Sequence, residues 1–259
     1  MTATQPDEPA PDLPALPDTA TAPDHRWGLG AFLVVEGVLL ASAAFVSVLL
    51  GPPPPGRPTP VPDVLIGTIV PTAFAAVVAV LITMWRGNGP LIDLRLSWSW
   101  DDIRVGLKFG ALGLVLTSIG AFLWTQAVGE NNATSAIGAL VENQPASVTA
   151  AVILFVYLWL VGPICEEIIY RGLLWGAVER LNWGKEKWGR LAAFLLSTAV
   201  FAASHLEPLR TTLLLVIAVP IGLARLCTGR LAGAVVAHQV NNFLPALATL
   251  LTTLGVMTL

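Results

Sequence analysis

Long runs of apolar residues dominate the chain and are separated by short polar or proline-rich connections. A run of about 20 apolar residues is long enough for one helix to cross a bilayer. The pattern therefore predicts an all-α protein, a polytopic membrane helical bundle with about seven to eight transmembrane helices. The predicted segments are 27–50, 64–85, 105–127, 146–181, 191–205, 209–226 and 231–259.

Two of these segments carry features that bear on helix packing. The 146–181 run is far longer than one span requires, and it contains Gly162-Pro163. Proline removes a backbone hydrogen bond and clashes with the preceding turn, so we expect a kink or break there. A split of one long segment would add an eighth span. In the third run, the spacing of Gly106 and Gly110 permits close helix contact.

Composition agrees with a membrane location. Only 12% of the 259 residues are charged and 55% are hydrophobic, whereas soluble domains average about 25% charged residues. The net charge of -3 does not indicate a nucleic-acid partner. Residues 1–26 are rich in Pro, Asp, Ala and Thr and have too little apolar surface to fold, so they are predicted to be a disordered N-terminal tail. We expect residues 27–127 to form N-terminal transmembrane helices.

The distribution of Lys and Arg predicts the orientation in the membrane. With seven spans and the N-terminus inside, the outer loops hold only Arg57 and Arg210. The inner side then holds Arg26, Arg86, Arg95, Arg104, Lys108, Arg180, Lys185, Lys187, Arg190, Arg225 and Arg230. By the positive-inside rule this asymmetry favours an inner N-terminus and an outer C-terminus. An eighth span would return the C-terminus to the inside.

Several polar residues interrupt the apolar runs. They are Glu166, Glu167, Arg171, His205, His238 and Asn242, with Glu36 further upstream and without an assigned role. A charged group at bilayer depth costs a few kcal/mol, and such groups normally face a protein interior or a water-filled cavity. Residues four apart share a helix face, so Glu167 is predicted to pair with Arg171. Glu166 points about 100° away from Glu167, and it can therefore have a different role.

We interpret these clusters as one active site between helices. A carboxylate, two imidazoles and a carboxamide suit the activation of a water for attack on an amide carbonyl. The imidazoles can bind a metal or donate to the developing oxyanion, and Asn242 can also donate. Two other functions remain open. The cluster can bind an ion in a transporter or channel, or it can belong to a catalytically silent membrane scaffold.

The same residues resemble a known family. The Glu-Glu-x-x-x-Arg stretch at Glu166, Glu167 and Arg171 resembles the first motif of the CAAX prenyl protease and bacteriocin-processing (CPBP) family of intramembrane endopeptidases. The pair Phe201 and His205 is similar to the second motif, Phe-x-x-x-His. The stretch from His238 to Asn242 is similar to the third, His-x-x-x-Asn. All three motifs occur in family order, within residues 147–250.

The resemblance implies roles for individual residues. Glu166 would activate the water, and His205, His238 and Asn242 would complete the catalytic site. Glu167, Arg171 and Phe201 would support it, within a CPBP-type catalytic helical core at residues 128–259. If a metal is used, zinc bound by Glu166, His205 and His238 would satisfy the usual ligand requirements. A metal-free site with Glu166 as the base fits equally well.

The resemblance also implies a location and partners. We expect a multi-pass protein of the bacterial cytoplasmic membrane, surrounded by lipid. Its substrates would be membrane-associated proteins or peptides. Eukaryotic members of the family cut prenylated Cys-a-a-X tails, but no feature of this sequence indicates that a prenyl group is recognised. No feature indicates an oligomeric state either.

Overall fold

The structure is a computed structural model, and it describes residues 26–53, 55, 57–129, 135–141, 144 and 146–257. The predicted disordered tail at 1–26 lies outside the described residues, apart from Arg26. All regular secondary structure in the described part is helical, so the predicted fold class is confirmed. The boundary predicted between residues 127 and 128 stays a prediction.

The described residues form nine helices, which we number in chain order. They are α1 (Leu29–Leu50), α2 (Val61–Arg86), α3 (Pro90–Asp93), α4 (Trp100–Val128), α5 (Ala136–Val141), α6 (Val148–Glu179), α7 (Glu186–Ser204), α8 (Thr211–Thr228) and α9 (Leu231–Thr253). Six of them, α1, α2, α4, α6, α8 and α9, are long and apolar enough to cross a membrane. The predicted count of seven to eight is therefore approximate.

The difference in the count lies in α7. This helix starts at Glu186 rather than at Leu191, so it includes polar residues that lower its hydropathy. Its buried face also carries Ser197 and Thr198. The turn after α7 nevertheless reaches the segment between α4 and α6, because the Ala136 N–H donates to Glu207 Oε1 at 2.8 Å. Helix α7 therefore runs beside the six apolar helices.

Helix α6 continues through Gly162-Pro163, so of the predicted kink or break the break is wrong, and the kink stays a prediction. Two π-helical segments, Tyr157–Val161 and Ile168–Leu174, interrupt its α-helical hydrogen bonding. The Gly162 N–H bonds to the Tyr157 carbonyl, five residues back, and Pro163 has no N–H to donate. The wider π turn thus accommodates the proline without ending the helix.

Helix α4 packs against both α8 and α9. A Cβ atom added to Gly106 would lie 2.7 Å from Val236 Cβ, and one added to Gly110 would lie 2.6 Å from Val240 Cβ. The close contact predicted for these glycines is therefore present, and α9 is the partner. Because α9 carries the third motif, α4 helps to fix its position.

One face of the bundle gathers several basic loops. The Arg26 N–H donates to the Arg86 carbonyl at 2.9 Å, which joins the start of α1 to the end of α2. Arg95 forms an ion pair with Glu179 at 3.0 Å and donates to the Gly229 carbonyl at 3.3 Å. This face brings together loops that were predicted to lie on the inner side, and the orientation itself stays a prediction.

Candidate active site

The carboxylate of Glu167 lies at the centre of the polar cluster. Its Oε1 atom accepts hydrogen bonds from Arg171 Nη1 at 3.1 Å and from His238 Nδ1 at 2.9 Å. The side chains of Glu167 and Arg171 are 0% exposed. The predicted ion pair is thus present and completely buried, and it connects α6 to the imidazole on α9.

The two glutamates differ in accessibility, as their directions on the helix predict. Glu166 is 27% exposed, and its Oε2 atom lies 3.7 Å from His238 Nε2. This distance exceeds that of a direct hydrogen bond. Because the carboxylate of Glu167 can only accept, we assign the imidazole proton to Nδ1 of His238. The Nε2 atom then presents a lone pair towards Glu166.

Arg171 is held by two further helices. Its Nη2 atom donates to the Ala218 carbonyl on α8 at 3.4 Å, and its guanidinium lies 4.4 Å from the ring centroid of Phe201 on α7. The backbone carbonyl of Arg171 accepts from Arg225 Nε at 3.2 Å. The first motif is therefore fixed on several sides, and this limits the positions that Glu167 can adopt.

Phe201 connects the two histidines of the predicted site. Its ring centroid lies 4.7 Å from that of His205 and 5.6 Å from that of His238, with edge-to-face geometry in both cases. His205 follows the last residue of α7, is exposed, and contacts the Phe201 carbonyl through Nδ1 at 2.8 Å. Within the described residues it forms no hydrogen bond or ion pair with Glu166 or His238.

Asn242 is held by the first π segment of α6. Its Nδ2 atom donates to the Leu158 carbonyl at 3.3 Å. In an α-helix this carbonyl would accept from residue 162, and in a π-helix from residue 163. The Gly162 N–H bonds to Tyr157 instead, and Pro163 has no N–H. The carbonyl is thus left for Asn242.

Sequence reasoning missed some contributors to this site. Asn241 Nδ2 donates to Asn242 Oδ1 at 3.4 Å, and Thr117 Oγ1 donates to Asn241 Oδ1 at 2.7 Å. Asn241 occupies one of the unspecified positions of the third motif, and Thr117 belongs to no motif. No sequence signal distinguishes Thr117 from the neighbouring Ser118 in this apolar run. Glu36 is half-buried on α1, and its Oε1 atom has no hydrogen-bond partner among the described residues.

The predicted zinc ligands can be compared with the arrangement found. Among the described side chains, no group of three or more His, Cys, Asp or Glu residues is placed to hold a metal ion. Glu166 approaches His238, whereas His205 is not gathered with them into such a group. The described structure thus brings together two of the three predicted zinc ligands, and no step below involves zinc.

The fold and the site together define a class, that of multi-pass helical membrane proteins with a carboxylate–imidazole site between their helices. Residues 148–244 match the family model described as Rce1-like, type II CAAX prenyl endopeptidase Rce1-like. The matched part of the chain contains all three motifs, and the predicted resemblance is confirmed. It supports a membrane endopeptidase of the CAAX type. No curated protein and no solved structure matches the chain.

Proposed function

We propose that this protein is an intramembrane endopeptidase that hydrolyses peptide bonds of membrane-associated proteins or peptides with a water activated by Glu166. The observation that carries the proposal is the approach of the partly exposed Glu166 carboxylate to His238 Nε2, at 3.7 Å. One water oxygen about 2.8 Å from both atoms is compatible with this separation. Both atoms can accept, so together they can orient the two protons of that water.

The reaction follows from these positions. Glu166 takes a proton from the water while the water oxygen attacks the carbonyl carbon of the scissile bond. Asn242 Nδ2 is a donor for the negative charge that develops on the carbonyl oxygen. His205 can also donate there, but only as an imidazolium, because its Nδ1–H faces the Phe201 carbonyl. Glu166 then returns the proton to the leaving amine, which restores the carboxylate. Glu167 keeps His238 in the required tautomer, and Arg171 balances the charge of Glu167.

The substrate class follows from the location of the site and from the family description. A peptide bond can reach Glu166 only from a chain that enters the helical bundle. The matched family is described as a prenyl endopeptidase, so a peptide with a lipid-modified C-terminal cysteine is the first substrate to test. The same peptide without the lipid shows whether the lipid is needed for recognition or only for membrane attachment.

Reconstituted protein provides the test. We expect the parent to cleave such peptides in liposomes and Glu166→Gln to lose about 10² to 10⁴-fold in kcat, as for the removal of a general base. The control Glu186→Gln changes an exposed carboxylate at the start of α7 and should cleave like the parent. Equal cleavage by parent and Glu166→Gln would remove the assignment. It would leave ion binding or a scaffold role for the cluster.

A chelator arm addresses the metal question in the same assay. Because the described residues form no three-ligand group, we expect hydrolysis to persist after treatment with a strong zinc chelator. Loss of cleavage that returns on addition of zinc would show that the enzyme uses a metal. The metal-free water role given above for Glu166 and His238 would then be wrong.

A further inference from the structure

A chain of side-chain hydrogen bonds reaches the catalytic carboxamide from α4. It begins at Thr117, whose hydroxyl donates to Asn241 Oδ1 at 2.7 Å. Thr117 lies outside residues 148–244, the segment that matches the family model. Helix α4 therefore contributes a polar contact to the third motif in addition to the glycine contacts described above.

The chain of bonds sets the direction of both carboxamides. With Oδ1 of Asn241 occupied by the Thr117 hydroxyl, the Nδ2 atom of Asn241 faces Asn242 Oδ1 at 3.4 Å. The oxygen of Asn242 is thereby engaged, and its Nδ2 atom faces the Leu158 carbonyl at 3.3 Å. A carboxamide nitrogen has two N–H donors. One donates to Leu158, and the other is available to a substrate.

Packing keeps the middle of this chain in place. Asn241 is 2% exposed, so a carboxamide without partners there would be unfavourable. A Cβ atom added to Gly113 of α4 would lie 3.2 Å from Asn241 Oδ1. The close approach of α4 thus leaves little room for the Asn241 side chain to rotate. The Thr117 hydroxyl supplies the donor that Asn241 Oδ1 needs when its Nδ2 faces Asn242.

We propose that Thr117 and Asn241 are positioning residues that hold Asn242 with its free Nδ2–H directed at the substrate carbonyl oxygen. This inference rests on the proposed endopeptidase function. Without the two residues, the bond to the Leu158 carbonyl is the remaining described contact that opposes rotation of the Asn242 carboxamide. A rotated carboxamide would present its oxygen to the developing oxyanion. The Asn242 oxygen would then face the negative oxygen of the transition state. The hydrogen bond that stabilises this charge would be lost, although substrate binding does not require that bond.

The test uses an isosteric change. Thr117→Val removes the hydroxyl and keeps the shape, and we expect kcat to fall about tenfold or more with little change in KM, as for a lost oxyanion donor. Thr117→Ser restores a hydroxyl and should restore kcat. The matched control is Thr125→Val, since the Thr125 hydroxyl bonds only to the Ala121 carbonyl of its own helix. It should leave kcat unchanged.

Two comparisons separate this inference from the proposed function. If cleavage depends on Glu166 but Thr117→Val retains the kcat of the parent, the positioning role is wrong while the endopeptidase assignment stands. In an Asn242→Ala background, Thr117→Val should have no further effect on kcat. An additional loss of the full size would show that Thr117 acts elsewhere.

A readout independent of hydrolysis completes the test. The thermal unfolding midpoints of Thr117→Val, Asn241→Ala and the double variant should be non-additive, because both single changes break the same bond. Additive shifts in the midpoint would overturn the inference even if no peptide is cleaved.

Discussion

Removal of the Glu167 charge offers a direct measure of the buried ion pair. The variant Glu167→Gln keeps the side-chain volume, but it leaves the Arg171 guanidinium 0% exposed and without its counter-charge. Leaving one member of a buried pair uncompensated costs about 3–5 kcal/mol of stability. Protein stability is typically about 5–15 kcal/mol, so this variant should lose a large part of it.

The double variant Glu167→Gln/Arg171→Met separates charge from packing. Methionine fills much of the space of the arginine stem and carries no charge. Replacing both members of a buried pair by uncharged groups is often neutral or stabilising. We therefore expect the double variant to recover most of the stability that Glu167→Gln loses.

The assay measures unfolding in detergent micelles, by thermal or denaturant titration, for both variants and the parent. Activity provides a second readout, because the double variant should stay inactive without a carboxylate for His238 Nδ1. A double variant no more stable than Glu167→Gln would refute the reasoning. It would show that the hydrogen bonds to His238 and Ala218, rather than charge balance, hold this part of the core.

The remaining predictions concern backbone features of α6 and α4. Pro163→Ala supplies an N–H that competes with Asn242 for the Leu158 carbonyl. Stability should therefore stay the same or rise while kcat falls. An unchanged kcat in the peptide assay would contradict this role of the proline. Gly110→Ala places a Cβ atom 2.6 Å from Val240 Cβ and should cost about 1–3 kcal/mol by overpacking. The control Gly37→Ala on α1 has nothing within 4 Å and should not lower the unfolding midpoint.

Local spacing was sufficient to predict several contacts. The separation of Glu167 and Arg171 predicted their ion pair, which is present. The angle between the two glutamates predicted that their roles can differ, and their exposure does differ. Gly106 and Gly110 predicted a close helix contact. These features depend on positions within one helix, where geometry is fixed by the backbone alone.

Features that depend on contacts between helices could not be predicted in this way. The proline rule predicts a kink or break in α6, but whether a helix breaks or widens at proline depends on which group donates to the freed carbonyl. Here Asn242 Nδ2 of α9 donates to it. Hydropathy alone does not show that α7 runs beside the apolar helices, since its buried Ser197 and Thr198 contact protein rather than lipid.

The position of α4 has a consequence for how the protein can be divided. Because α4 packs on α8 and α9, a fragment beginning after residue 147 would expose the valine ridge of α9 around Val236 and Val240. Such a fragment would contain every motif and yet lack α4, the helix against which α9 packs. A minimal functional unit must therefore include α4, either in the same polypeptide or supplied as a separate complementing piece.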